Sequence, residues 1–373
     1  MTRLIATYRV RAAAHVIEVR AQTIALEQSV ELPLDTVDDP RVRAEIVGRV
    51  DSIEDRGDGT FTVRLALAAS TTGFEAGQLM NVLFGNTSIH DDVTLEDVEL
   101  PVALLERFGG PRHGLAGMRR RCGIETRAMT CSALKPQGLP SDALARIAGA
   151  LARGGIDFIK DDHGLADQAY SPFAERVPAC ARAVAAARRA HGTHSQYVPS
   201  VSGDLDQLRA EVRLARDEGL DAVLVAPMVV GLPAFHALVR GFSDIAFMVH
   251  PALAGAARIA PPLLLGKLFR LFGADATIFP NHGGRFGYSR EVCGTLASAA
   301  LEPWHQLRPC VPVPAGGMSL ERVPEMIDFY GCDIILLIGG SLLAARERLA
   351  EETAAFVRCA AACRPSGKMP AHA

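Results

Sequence analysis

This chain of 373 residues has no Cys-x-x-Cys pair, no long apolar run, no internal repeat and no low-complexity segment. The eight cysteines, at 122, 131, 180, 293, 310, 332, 359 and 363, are scattered. In a chain this long they read as reduced cytosolic thiols. Cys359 and Cys363 lie four apart in a helical pattern and suit a shared Ala-rich packing face. No stretch approaches the roughly 18 apolar residues of a membrane span, so no membrane partner is expected. The net charge of -3 and pI near 6.4 point away from a polyanion partner. Arg119-Arg120-Arg121 is too short a basic run to argue for nucleic acid. Met1 to Ile5 opens a strand and lacks a secretory pattern, which makes a cytoplasmic location the expectation.

What is present divides into two parts. Residues 1–115 read as an α+β domain of ferredoxin-like type: strands over Leu4 to Arg9, Ala44 to Ser52, Gly59 to Leu67 and Val98 to Leu104, and helices over Arg11 to Gln28 and Ala76 to Phe84. Asp55-Arg56-Gly57-Asp58-Gly59 is a strong hairpin turn signal. Gly109 to Gly123, rich in Pro, Gly and basic residues, reads as a linker. Residues 116–373 then alternate strand and helix. The expected strands are Ala128–Leu134, Ile156–Ile159, Tyr197–Val201, Ala222–Val225, Ile245–Val249, Thr277–Phe279, Cys310–Pro314 and Ile334–Ile338. A helical pattern follows each, among them Pro261–Phe272 and Leu342–Ala362. Eight such pairs in about 250 residues match a TIM (β/α)8 barrel, with a doubly wound sheet as the alternative.

In such a barrel the chemistry sits at the C-terminal ends of the strands. Lys135 follows the first strand, and Lys160-Asp161-Asp162-His163 the second. Period two puts Lys160 and Asp162 on one side, a ready place for a metal and a proton-transfer base. His250 follows the fifth strand and Asn281-His282-Gly283-Gly284-Arg285 the sixth. Gly316-Gly317 and Gly339-Gly340 follow the adjacent seventh and eighth strands. Their backbone N–H groups, at helix N-termini, are expected to cradle a phosphate. A desolvated Lys135 would act as acid or base on a substrate carbon. Arg285 has the donor fork to close over a phosphate or carboxylate. Phe279, Pro280 and Phe286 offer either an apolar substrate wall or core packing.

Lys135-Pro136-Gln137-Gly138-Leu139, the run Gly154 to Gly164, Ala315 to Met318 and Gly339-Gly340 together resemble the large subunit of RuBisCO, and more closely the RuBisCO-like proteins that lack carboxylase activity. The resemblance extends over nearly the whole chain. It implies a homodimer with shared active sites, in which Glu27 and Asn86 are lent to the neighbouring subunit's substrate. It implies Mg²⁺ held by a carbamate on Lys160, by Asp162 and by the residue at position 163. It further implies Lys135 as acid/base near an enediolate, His250 at the substrate hydroxyls or in proton transfer, and one phosphate on Gly316, Gly317, Gly339 and Gly340.

The departures carry information. His163 stands where the family has Glu. Imidazole suits Zn²⁺, Fe²⁺ or Mn²⁺ better than Mg²⁺, or else serves as an acid/base with no metal. Gln137 replaces a second Lys, Pro251 an Arg, and Ala315 a Ser, while Ile278 and Phe279 stand near a lost His. These losses resemble removal of a second phosphate site. The terminal Lys of the mobile loop is missing, and Arg285 is the nearest cation. The resemblance therefore implies an enzyme enolising a ketose with one phosphate, such as a 5-methylthioribulose 1-phosphate isomerase, and no CO₂ fixation. The alternatives are a decarboxylase of a 3-oxo sugar-acid phosphate of the 3-oxo-isoapionate 4-phosphate type, and a non-catalytic phosphosugar-binding protein.

Overall fold

Alternating burial builds the first sheet. Strand β1 (Arg3–Arg11) buries Leu4, Ala6, Tyr8 and Val10 on one face. It is flanked by antiparallel partners in the order β2 (Arg49–Asp55), β3 (Thr60–Ala68), β1, β4 (Val93–Glu99). The expected hairpin turn forms through two local side-chain caps: Gly57 N–H donates to Asp55 Oδ1 at 2.8 Å and Thr60 N–H to Asp58 Oδ1 at 3.0 Å. Helices α1 (Ile17–Glu27) and α2 (Ala76–Phe84) complete a β-α-β-β-α-β unit. The computed structural model describes residues 2–284 and 286–364. They fall into two units, the first comprising Met1–Gly110 with Leu253–Leu264 and Trp304–Leu307, the second the remainder. Within the first unit, Ala260 N–H donates to Leu95 O at 2.9 Å, so a late piece of sequence edges the early sheet.

Four expectations in this region are corrected. The strand expected from Ala44 begins at Arg49, after a helix over Pro40–Glu45. The helix expected from Arg11 begins at Ile17, because β1 runs on to Arg11. Val98–Leu104 is not a strand: β4 ends at Glu99, and a helix runs over Val102–Phe108 with Pro101 at its start. Proline fixes φ and seeds a helix better than it continues a strand. Gly109 to Gly123 is not merely a linker, because helix α3 (Gly114–Cys122) occupies most of it. The carboxylate of Asp275, 161 residues away in sequence, accepts the N–H groups of His113 and Gly114 at 2.7 Å and caps that helix.

The second unit is a parallel barrel of β5 (Met129–Leu134), β6 (Phe158–Asp161), β7 (Gln196–Val198), β8 (Ala222–Val225), β9 (Ala246–Val249), β10 (Ala276–Pro280), β11 (Val311–Ala315) and β12 (Ile335–Leu337). A parallel bridge between Ser200 and Leu224 joins β7 to β8 and closes it, which rules out the doubly wound sheet. The interior is filled by every second strand residue: Met129 and Cys131, Phe158, Leu224, Ala246 and Met248, Ile278, Val313, Ile335. Met118 and Cys122 of α3 pack onto this core. Pro261–Phe272 is a π-helix over Pro262–Leu268 running into Phe269–Leu271, and Leu342–Ala362 breaks into Gly340–Leu343, a 3₁₀ turn and Leu349–Ala362. No described helix is long and apolar enough to cross a membrane.

Candidate active site

The interior parity of the strands carries straight into the site. Counting on by twos from Met129, Phe158, Met248 and Leu337 gives Lys135, Lys160 and Asp162, His250, and Gly339. The rule that packs the core thus aims these residues at the barrel mouth once the hydrophobic layers end. Asp161 has the opposite parity. Its carboxylate is wholly buried outside the barrel, taking Arg176 Nε at 3.1 Å and Ser200 N–H at 3.0 Å on Oδ2, and Tyr197 Oη at 2.8 Å on Oδ1. Arg176 also donates to Ser171 O at 2.6 Å. This buried cluster anchors the end of β6 and fixes which way Lys160 and Asp162 face.

Lys160 is 3 % exposed, with Nζ donating to Asp161 O at 2.8 Å. Burial lowers its pKa, so the neutral amine is more accessible than on a surface lysine. That form is the one that takes a proton from carbon or reacts with CO₂. Asp162 is ion-paired to Lys135, has His163 Nδ1 at 3.1 Å and accepts Gly164 N–H at 3.0 Å. Burial pushes its carboxyl up, but the bonds from His163, Lys135 and Gly164 outweigh this and hold it well below the usual carboxylate range. His163 and His250 stack face to face, ring centroids 3.9 Å apart and planes 6° from parallel. Ala252 N–H donates to His250 Nδ1 at 3.1 Å, so the neutral ring carries its proton on Nε2. Burial, then the charges of Lys160 and His163, push His250 down to about 2, keeping it neutral at physiological pH.

The two glycine pairs lie side by side. Ala315 pairs with Leu337 across β11 and β12, and Ser341 Oγ donates to Met318 O at 3.0 Å, tying one loop to the other. Gly316 and Gly317 have φ of +86° and +66°, a region glycine enters freely. Among the described residues the N–H groups of Gly317, Gly339 and Gly340 find no acceptor. The expected helix N-termini are corrected, however. Gly316-Gly317 leads into a 3₁₀ turn, Leu320–Arg322, and Gly340 opens a helix of only 4 residues. Any anion pocket here relies on loop amides rather than on a long helix dipole.

Of the other expected residues, Asn86 donates to Glu27 Oε1 at 2.8 Å, so the first unit brings that pair together. Arg285 lies outside the described residues. Phe279 is fully buried against Tyr330 and belongs to the core rather than to a substrate wall, while Phe286 is exposed. His282 is buried against Phe329 with Nε2 unpartnered. Sequence reading missed Arg176, Tyr197 and Ser200 behind Asp161, and Arg322 beside the glycines; Ser341 follows directly on Gly339-Gly340 and is visible in the sequence. Odd parity along β6 was the one available signal, for Asp161 itself.

A divalent cation finds a partial fit. Asp162 is buried and held ionised, as a ligand carboxylate would be, but its Oδ2 is the atom paired with Lys135 Nζ, so a cation there would have to displace that ammonium. Among the described residues, though, no group of three or more His, Cys, Asp or Glu could hold a metal. The set reaches three only with Lys160 as a carbamate beside Asp162 and His163.

Comparison with known proteins shows the family. The family described as ribulose bisphosphate carboxylase large chain, catalytic domain, matches residues 114–276. The chain is 60 % identical over 366 residues to a 5-methylthioribulose-1-phosphate isomerase of Rhodospirillum rubrum, covering 98 % of each. It is 31 % identical over 288 residues to a 2,3-diketo-5-methylthiopentyl-1-phosphate enolase of Geobacillus thermodenitrificans, covering 74 % of this chain and 69 % of that one. A crystal structure of a Rubisco-like protein from Rhodopseudomonas palustris superposes with a TM-score of 0.92 at 52 % identity, covering 99 % of each chain.

Proposed function

The chain belongs to the RuBisCO large-chain family, among its RuBisCO-like members, and from that premise we propose that it isomerises 5-methylthioribulose 1-phosphate through an enediolate and fixes no CO₂. One observation carries the reading. A buried lysine of lowered pKa and a stacked pair of imidazoles flank the same carboxylate, Asp162. An isomerase needs a group to take a proton from one carbon and a group to return one to another. Lys160 or Lys135 removes the proton next to the carbonyl. The electron pair moves into the new C=C bond and the charge onto oxygen. The hydroxyl proton on the neighbouring carbon passes to the enediolate oxygen, that carbon becomes the new carbonyl, and a proton returns to the former carbonyl carbon from the other lysine or from the His163–His250 side. The loop amides of Gly317, Gly339 and Gly340 bind the phosphate. The near-full-length likeness to the Rhodospirillum rubrum isomerase supports this choice of substrate.

Mg²⁺ or another divalent metal would be held by a carbamate on Lys160, by Asp162 and by His163. When bound it would polarise the ketone and stabilise the enediolate oxygens. His163 Nε2 is the nitrogen left for it, since Nδ1 faces Asp162. Substituting His163→Glu separates the roles. A changed metal content on elemental analysis marks a ligand, while unchanged metal with lost activity marks an acid/base. No change in either removes both roles. The homodimer with Glu27 and Asn86 lent to the partner's site is part of the same reading. Mixing Glu27→Gln chains with Lys160→Ala chains should restore activity in hybrids, and active-site sharing fails if proven hybrids stay inactive.

The deciding experiment is NMR of 5-methylthioribulose 1-phosphate with the protein in D₂O. Deuterium should enter carbon next to the carbonyl, and signals of a second ketose phosphate should appear. Binding without exchange or turnover would return the protein to a phosphosugar-binding role. Turnover of a 2,3-diketo phosphate alone would make it an enolase, and release of CO₂ from a 3-oxo acid phosphate alone would favour the decarboxylase.

A further inference from the structure

The loops after β10 and β11 are packed backbone to backbone. Asn281 N–H donates to Ala315 O at 2.8 Å. A Cβ on Gly284 would lie 2.8 Å from Gly316 O, and one on Gly317 would lie 2.7 Å from Gly284 Cα. Only glycine permits either approach. One side chain bridges the two loops. Arg322 donates from Nη1 to Gly317 O and from Nη2 to His282 O, both at 3.1 Å, and its Nε reaches Glu325 Oε2 at 3.3 Å.

In a trans peptide the C=O and N–H point in opposite directions. Holding the carbonyls of Gly317 and His282 towards the guanidinium therefore turns the N–H groups of Met318 and Gly283 away from it. Neither N–H has an acceptor among the described residues. An arginine suits this task because its planar fork fixes two acceptors at once, whereas a lysine offers one point of charge. We propose that Arg322 is a positioning residue for the phosphate site. It clamps the loop after β10 to the loop after β11, so that their amides stand preorganised for the anion. The proposal rests on the phosphate reading of Gly316-Gly317 and Gly339-Gly340. It adds the loop after β10, through Gly283 and Gly284, to that site.

Inorganic phosphate is the probe, used as a competitive inhibitor of ketose-phosphate turnover by the full-length protein. Arg322→Gln should raise both KM and the phosphate inhibition constant by about tenfold with kcat within about threefold, since remote binding is lost rather than transition-state contact. Arg322→Lys should fall between, at about threefold. Gly317→Ala, which attacks the cradle directly, should raise both constants at least as much. A lower unfolding midpoint of Arg322→Gln with unchanged KM and inhibition constant marks a merely structural arginine and overturns the proposal. Loss of phosphate affinity in Gly317→Ala but not in Arg322→Gln overturns it while sparing the phosphate reading. Absence of competition by phosphate in the wild type, with no effect of Gly317→Ala, brings down both. Should Arg322→Gln not fold, Arg322→Lys decides alone, and no rise in either constant refutes the clamp.

Discussion

Replacing Arg176 with methionine tests whether the cluster behind β6 holds the catalytic face in place. Arg176 and Asp161 are both fully buried, and among the described residues the guanidinium is the sole cation bonded to that carboxylate. Methionine keeps the unbranched stem and removes two donors, one to Asp161 and one to Ser171 O. Breaking a buried ion pair by deleting one partner costs about 3–5 kcal/mol, a large part of a typical folding free energy of about 5–15 kcal/mol. The loss depends on pH in a definite sense. Burial already raises the Asp161 carboxyl despite Arg176, and removing the cation raises it further. A raised folded pKa means stability is retained below the unfolded value near 4 and lost as pH climbs towards the folded value, by up to about 1.4 kcal/mol per unit. Arg176→Met should therefore be closer to wild type at pH 5 than at pH 8 in urea unfolding followed by circular dichroism. The double variant Asp161→Asn, Arg176→Met removes both charges and should recover most of the loss. Turnover by Arg176→Met should drop by roughly tenfold or more, because Lys160 and Asp162 lose the anchor that aims them. A single variant within about 1 kcal/mol of wild type, or a double variant no better than the single, would refute the argument.

Four further outcomes follow from Lys160 and from the buried Glu211. Lys160→Met should lower kcat by at least about 10³-fold, as loss of a proton-transfer group does. Because burial depresses the Lys160 pKa, wild-type stability falls as pH drops from about 10.4, so without added bicarbonate or metal the Met variant should be the more stable at pH 7 and lose that margin at pH 10. Glu211, buried and accepting Ser202 N–H at 2.8 Å, is pushed up to about 7 by burial, so its contribution is full below about 4.5 and lost as pH rises through 7. Glu211→Gln, permanently neutral, should then gain roughly 1–3 kcal/mol over wild type at pH 8 and none at pH 4, by urea midpoints; an equal difference at both pH values would contradict the assignment. Carbamylation of Lys160 predicts that bicarbonate preincubation raises activity in the wild type and leaves Lys160→Met unaffected, as read by initial rates.

Much of the fold was legible because burial repeats with a fixed period. Strands two residues in period and helices near 3.6 can be counted in a line of letters. The eight barrel strands were all placed to within about three residues, and the same count that fills the core predicts that Lys135, Lys160, Asp162 and His250 converge. Apolar Val98 to Leu104 misled because short apolar runs suit strand and helix alike, and Pro101 was the discriminating residue. The linker misled for another reason. Helix α3 is capped by Asp275, which no local pattern near residue 114 announces.

Sequence alone determined the architecture and which strand-end residues, Lys135, Lys160, Asp162 and His250 among them, face the barrel mouth. These depend on residue identity and on spacing within single elements. Only the tertiary structure decided what those residues touch. It paired Lys135 with Asp162, stacked His163 on His250, set Arg176 behind Asp161 and laced the glycine loops together through Arg322 and Ser341. Each is a contact between loops or layers far apart in the chain. Its energy comes from desolvation and hydrogen-bond geometry, which exist only after the barrel has closed.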